Sequence, residues 1–151
     1  MDEVFYSRKH SLYFESSGLC VIKYDGPLLE ADIHNIHSEL RRWSQDRLRF
    51  SILVNLSSTG DVEPAARKAA AETLDVPNLT AVAGYGQSWH VRATATLTAA
   101  LIRAFGKVKC PIRFFATEED ARTWLEGLDR KANVMVPTAA QRAPSEQAPR
   151  P

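Results

Sequence analysis

Residues 50–72 constrain the fold more than any other stretch of this chain. Phe50-Ser-Ile-Leu-Val-Asn-Leu56 is short, apolar and rich in β-branched side chains, the composition of a strand buried on both faces. Pro64-Ala-Ala-Arg-Lys-Ala-Ala-Ala-Glu72 opens with proline, tolerated in a first helical turn, and continues in alanine, the best helix former. Between them, Ser57, Ser58, Thr59 and Gly60 supply turn chemistry, and Asp61 or Glu63 suits a helix N-terminus. A buried strand, a polar loop and a helix are half of a parallel α/β unit. In such sheets ligands and partners meet the loops beyond the carboxyl ends of the strands.

Upstream, Leu12 and Phe14 alternate with Ser11 and Tyr13 between His10 and Glu15. Ser16-Ser17-Gly18 gives a turn, and Leu19 to Tyr24 forms a second strand closed by Asp25-Gly26-Pro27, so an antiparallel hairpin is predicted. A helix follows, because Leu29, Ile33, Ile36, Leu40 and Trp43 are spaced four, three, four and three. Downstream, Asp75-Val-Pro-Asn78 stops the alanine helix. The pattern then predicts a strand from Leu79 to Tyr85, a long helix from Trp89 to Phe105 and a short strand at Ile112-Arg-Phe-Phe115, with Gly106 and Pro111 bracketing the last connection. Thr117 with Asp120 resembles a capping box for a final helix whose stripe is Ala121, Trp124, Leu125 and Leu128, with Trp124 as a core anchor. The domain is expected to span residues 1–130, and the Pro- and Ala-rich remainder, 131–151, to be a disordered tail.

Composition excludes several classes. The net charge of +1 provides no global attraction to nucleic acid or anionic membrane. No apolar run approaches the ~20 residues of a membrane span, and the acidic start of the chain does not resemble a secretory signal, so a cytoplasmic setting is expected. Cys20 and Cys110 lie in apolar, strand-like surroundings and are expected to be buried thiols, not a disulfide.

Chemistry-bearing patterns are sparse. Glu30, His34, His37 and Arg41 form a second stripe on the first helix; no ligand at metal spacing completes the histidine pair, so a solvated polar face is expected. Gly84-x-Gly86 invites a dinucleotide reading, but Trp89 stands where that fingerprint wants a small residue. His90 follows Ser88 without forming a nucleophile elbow, and Glu118, Glu119 and Asp120 suit helix capping better than acid–base work. Convergence of Asp61, Arg67, Tyr85, His90 and Arg92 around the loops would make an anion site. The unusual feature is the long helix, uncharged between Arg92 and Arg103. Val91, Thr94, Ala95, Thr98, Leu101, Ile102 and Phe105 are expected to face the sheet, leaving Ala93, Thr96 and Ala100 as a smooth opposite side. A surface helix normally carries more charge. A second subunit, the alanine-rich helix, an apolar ligand, or burial on two sides within the monomer would each account for it.

Three groups of residues together resemble the STAS superfamily, in particular its small SpoIIAA-like branch. They are Val54-Asn55-Leu56-Ser57 at the strand end, Pro64 with Ala66-Arg67 opening the next helix, and Ile112-Arg-Phe-Phe115 followed by Glu119-Asp120-Ala121 and Trp124-Leu125. The likeness covers about residues 10 to 129 and implies a non-catalytic domain that binds a partner, in some members under phosphorylation control. The family's phospho-acceptor stretch falls on Glu63-Pro64-Ala65-Ala66, which has no hydroxyl, and Asn55 stands at the usual Asp, so that switch is not expected to carry over. The resemblance also implies association with membranes or small apolar molecules, which suits the uncharged helix.

The expected fold is therefore α/β, a mixed β-sheet in the order β-β-α-β-α-β-α-β-α, STAS/SpoIIAA-like. The leading expectation is a non-enzymatic module that binds an unidentified protein partner. The alternative is a carrier or sensor of a small apolar ligand or lipid, associating with a membrane surface. Candidate contact residues are Ser57, Ser58, Thr59, Asp61, Arg67, Tyr85, Trp89, His90, Arg92, Thr96 and Arg103. No catalytic residue, cofactor, metal or nucleic acid is expected, and homodimerisation through the small-residue helix is a separate expectation.

Overall fold

The computed structural model describes residues 3–105 and 108–135. Its elements are β1 (Val4–Ser7), β2 (His10–Phe14), β3 (Cys20–Leu28), α1 (Glu30–Ser44), β4 (Phe50–Val62), α2 (Pro64–Thr73), β5 (Leu79–Tyr85), α3 (Trp89–Phe105), β6 (Ile112–Phe115) and α4 (Glu118–Met135). The strands form one six-stranded sheet in chain order, β1 to β6. The first three pair antiparallel, and β3 to β6 run parallel. The mixed α/β architecture is the expected one, with the β2–β3 hairpin and α3 in the expected places.

Strand order dictates where the helices go. Each parallel connection steps one strand in the same direction, and right-handed crossovers then put α1, α2 and α3 on one face. α1 packs on α2 and α2 on α3, whereas α4 covers β4, β5 and β6 from the other side. Alternation along the strands divides the core accordingly. Ile22, Ile52, Leu56, Val82 and Ile112 point beneath the three crossover helices. Leu53, Ala81, Ala83 and Tyr85 point at Ala121 and Leu125 of α4. Trp124 packs there with its ring 5.7 Å from that of Phe115, as expected of an anchor. Cys20 is buried and Cys110 half-buried, and both are free thiols.

Four boundaries differ from expectation. Val4–Ser7 adds an edge strand ahead of the hairpin. Residues 57–62, expected as a loop, continue β4, because they pair with residues 25–28 of β3, themselves expected as a turn. Two register shifts accommodate one extra β4 residue each. Gly60 lies within this ribbon, where a Cβ would come 3.0 Å from the Pro27 backbone nitrogen. α4 runs on to Met135, so the tail cannot begin at 131. Gly106 and residues 136–151 lie outside the described residues.

Gly84, opposite Phe114 in the β5–β6 register, has room for no side chain. An added Cβ would fall well inside contact distance of two Phe114 ring atoms and 3.5 Å from Leu56 Cδ1. Gly84→Ala is expected to destabilise the fold by about 1–3 kcal/mol through overpacking. Urea unfolding checks this as a lower midpoint at unchanged m-value.

Candidate functional site

The helix layer is built largely from small residues, and that choice leaves space over the sheet. Ala66, Ala69 and Ala70 of α2 and Ala95 and Ala99 of α3 stand where bulkier side chains would reach the strands. Between them, α1 and the sheet lies a predominantly apolar cavity of about 130 Å³. Ile22, Tyr24, Ile52, Val54, Leu56, Val82, Ile112 and Phe114 form its floor, and Ile33, His37, Ala66, Ala70, Leu74, Val91, Ala95, Ala99 and Ile102 its walls. An apolar space of this order is large enough for a molecule the size of benzene.

The parallel topology orders the cavity from end to end. Thr59, Val62, Arg67 and Val91 belong to the carboxyl-end half of a strand or the first turns of helices. Leu74, Ile102 and Ile112 belong to the opposite end, and His37, midway along α1, reaches toward it through Thr73 at the end of α2. His37 is only 5% exposed, which corrects its expected place on a solvated face. Its Nδ1 lies 2.7 Å from Thr73 Oγ1. Burial, reinforced by the charges of Arg41 and His34, lowers its pKa to about 4, so the ring is neutral at physiological pH. Burial likewise pushes the Tyr24 hydroxyl far above its ordinary range. Among the described residues, no three His, Cys, Asp or Glu side chains gather as a metal site would require.

The expected contact residues do not converge. Thr59 and Arg67 line the cavity; Thr59 donates to Tyr24 O and Arg67 Nη1 to Val62 O. Ser57, Ser58 and Asp61 are exposed on the β4 extension. Tyr85 is on the other face of the sheet, under α4, where burial and then Glu118 push its hydroxyl up to about 12. This separation removes it from any shared anion site with Arg67. Trp89 and His90 stack on each other at 3.6 Å between ring centroids, both exposed. Arg92 donates to Gly86 O and Gln87 O, Thr96 to Arg92 O and Arg103 to Ile112 O, so these three brace α3 and its flanking segments.

α3 itself turns Val91, Ala95, Ala99 and Ile102 inward. Leu101 and Phe105, expected to face the sheet, point out with Leu97 and Trp89, at 42, 54, 67 and 65% exposure. The helix is thus the wall of a cavity on one side and an apolar surface on the other. His37 and Tyr24 were missed as cavity residues; for His37 the signal was present, because it continues the Ile33, Ile36, Leu40 stripe at helical spacing.

A family model described as SpoIIAA-like matches residues 19–126. Among solved structures, a similar fold occurs in an uncharacterised DUF3478-family protein with a SpoIIAA-like fold from Shewanella loihica PV-4. The two share 16% identity at a TM-score of 0.52, over 83% of this chain and 92% of that one, a likeness of fold alone. No curated protein matches the sequence. No described helix is long and apolar enough to cross a membrane. The fold is that of STAS-type regulatory and binding modules, and with the matched segment running from the start of β3 into α4, the chain belongs to the SpoIIAA-like family.

Proposed function

We propose that this chain is a non-catalytic binding module that holds a small apolar molecule between its sheet and the helices α1, α2 and α3. The supporting observation is the cavity, about 130 Å³ and walled largely by aliphatic and alanine side chains. Ligand sites of this kind are mostly apolar with a few placed polar groups, and here those groups are Tyr24, His37, Thr59 and Arg67. Nucleophilic catalysis needs a nucleophile beside an oriented base, and neither Ser88 nor His90 stands in such an arrangement.

A second reading, regulation through a protein partner, draws on the outer face of α3. Trp89, Leu97, Leu101 and Phe105 put large apolar side chains into solvent on one helix, a pattern that marks contact surfaces when contiguous. Native mass spectrometry of the protein isolated from its own host separates the readings. The cavity reading expects additional mass, lost on denaturation and reduced by cavity-filling substitution. A protein that is empty, alone or self-associated, would overturn it and leave the partner reading in place.

A further inference from the structure

The two ends of the cavity differ in chemistry. At the strands' carboxyl ends stand Thr59 and Arg67, whose side chains already donate to backbone carbonyls. His37 lies seven residues into α1, roughly 10 Å along the helix axis from its start, against the last residue of α2.

The hydrogen bonds around His37 fix its tautomer. Thr73 Oγ1 is 2.7 Å from Ala69 O, and a carbonyl can only accept, so the hydroxyl proton is directed there. Oγ1 is also 2.7 Å from His37 Nδ1, and with its own proton committed it accepts from the ring. Nδ1 therefore carries the hydrogen, and Nε2 presents a bare lone pair. Among the described residues Nε2 has no hydrogen-bond partner, although the ring is almost completely buried and lines the cavity. Nε2 is not sealed from water, since among the described residues the fully buried side-chain polar atom left without a partner is Trp43 Nε1, so the bare lone pair stands open to an entering donor. It is satisfied by a donor and repelled by another lone pair.

We infer that the cavity selects apolar molecules carrying a neutral hydrogen-bond donor, a hydroxyl or N–H group, and that Nε2 of His37 reads that donor. The inference rests on the cavity reading above and assigns its ligand class. A carboxylate is the wrong partner for Nε2, since both groups only accept. A plain hydrocarbon fills the space but leaves the acceptor unpaired. His37 is thus a specificity-determining residue, and α1 and α2 jointly position it through Thr73.

Phenol, toluene and benzoate, of similar size and differing in this one group, test the inference by calorimetric titration of the full chain at neutral pH. Wild type is expected to bind phenol and toluene and to bind benzoate least. In His37→Phe the phenol-to-toluene affinity ratio should fall roughly tenfold, the loss of one buried hydrogen bond, while toluene still binds. Nitrogen NMR of wild type labelled at histidine keeps the test independent of that variant's folding. Its Nε2 resonance should have the unprotonated character, move on addition of phenol and stay put with toluene. An Nε2 resonance indifferent to phenol, an unchanged ratio in a folded His37→Phe protein, or tightest binding of benzoate would overturn the inference while leaving the cavity reading intact. Binding of none of the three would overturn both.

Discussion

Replacing Asp32 by alanine is expected to lower stability by about 3 kcal/mol, the cost of leaving several buried donors without their acceptor. At this chain length that corresponds to roughly 10 °C in Tm. Asp32 occupies the first turn of α1 with its side chain only 3% exposed. One oxygen accepts from Ser7 Oγ at 3.1 Å and Arg8 Nε at 3.0 Å; the other accepts from Leu29 N–H at 3.0 Å and Arg8 Nη2 at 2.6 Å. His10, fully buried, accepts from Asp25 N–H at Nδ1, so its Nε2–H is shared between Pro27 O at 3.2 Å and Asp32 at 3.3 Å. One carboxylate therefore ties the β1–β2 turn, the end of β3 and the start of α1 together. Arg8 holds a left-handed backbone at φ 55° to make this contact, an uncommon conformation for a residue with a side chain. Asp32→Asn would not restore the site, because its amide N–H₂ would face donors at Leu29, Arg8 or Ser7. Thermal unfolding of both variants checks the expectation, and a loss below 1 kcal/mol in Asp32→Ala would show the network to be dispensable.

The same carboxylate makes part of the stability depend on acid. Burial alone raises its pKa, but hydrogen bonds from Arg8, Leu29 N–H and Ser7, together with His10, outweigh burial and hold it below the ordinary carboxylate value. A depressed carboxylate contributes stability that is complete above its unfolded pKa, near 3.8, and lost as pH falls through the folded value. His37 acts in a higher window. Its folded pKa near 4 lies below the unfolded value of 6.5, so its contribution is complete above about 6.5 and lost on acidification toward 4. Acid unfolding of wild type should therefore show both losses, and Asp32→Ala only the upper one of this pair.

Much of this architecture is legible in sequence because period and punctuation agree. The spacing of Leu29, Ile33, Ile36 and Leu40, the Pro64 start and the Trp89–Phe105 run give helices at those places. Residues 57–62 are illegible for a physical reason. Their Ser, Thr, Gly and Asp content favours turns locally, and only pairing with residues 25–28 makes them a strand. Tyr85 is a subtler case. Its parity with Ala81 and Ala83 is written in the sequence, but which face of the sheet has the cavity depends on where the crossover helices lie. For α3, the lack of charge was visible, whereas the rotation that exposes Leu101 and Phe105 was not, since small and large apolar residues surround the helix.

The cavity itself is open to a test that reads sign as well as size. Ala99 lies on α3, 4% exposed, with its methyl group in the cavity wall. In a close-packed interior, adding three carbons there would force neighbours off their rotamers and cost about 1–3 kcal/mol. Over a void, the same atoms gain contacts without displacing any, at about 0.8 kcal/mol per buried carbon before entropy and fit are discounted. Ala99→Leu is accordingly expected to stabilise the ligand-free protein by about 1 kcal/mol, seen as a higher urea midpoint. The filled space then has no room for a guest, so affinity for a probe such as toluene should fall by about two orders of magnitude, the loss of roughly 2.7 kcal/mol of binding. The two effects have opposite directions, which a general disturbance of the fold cannot produce. A destabilised Ala99→Leu that still binds toluene would mean that α3 already packs tightly on the sheet and that the apolar guest sits elsewhere.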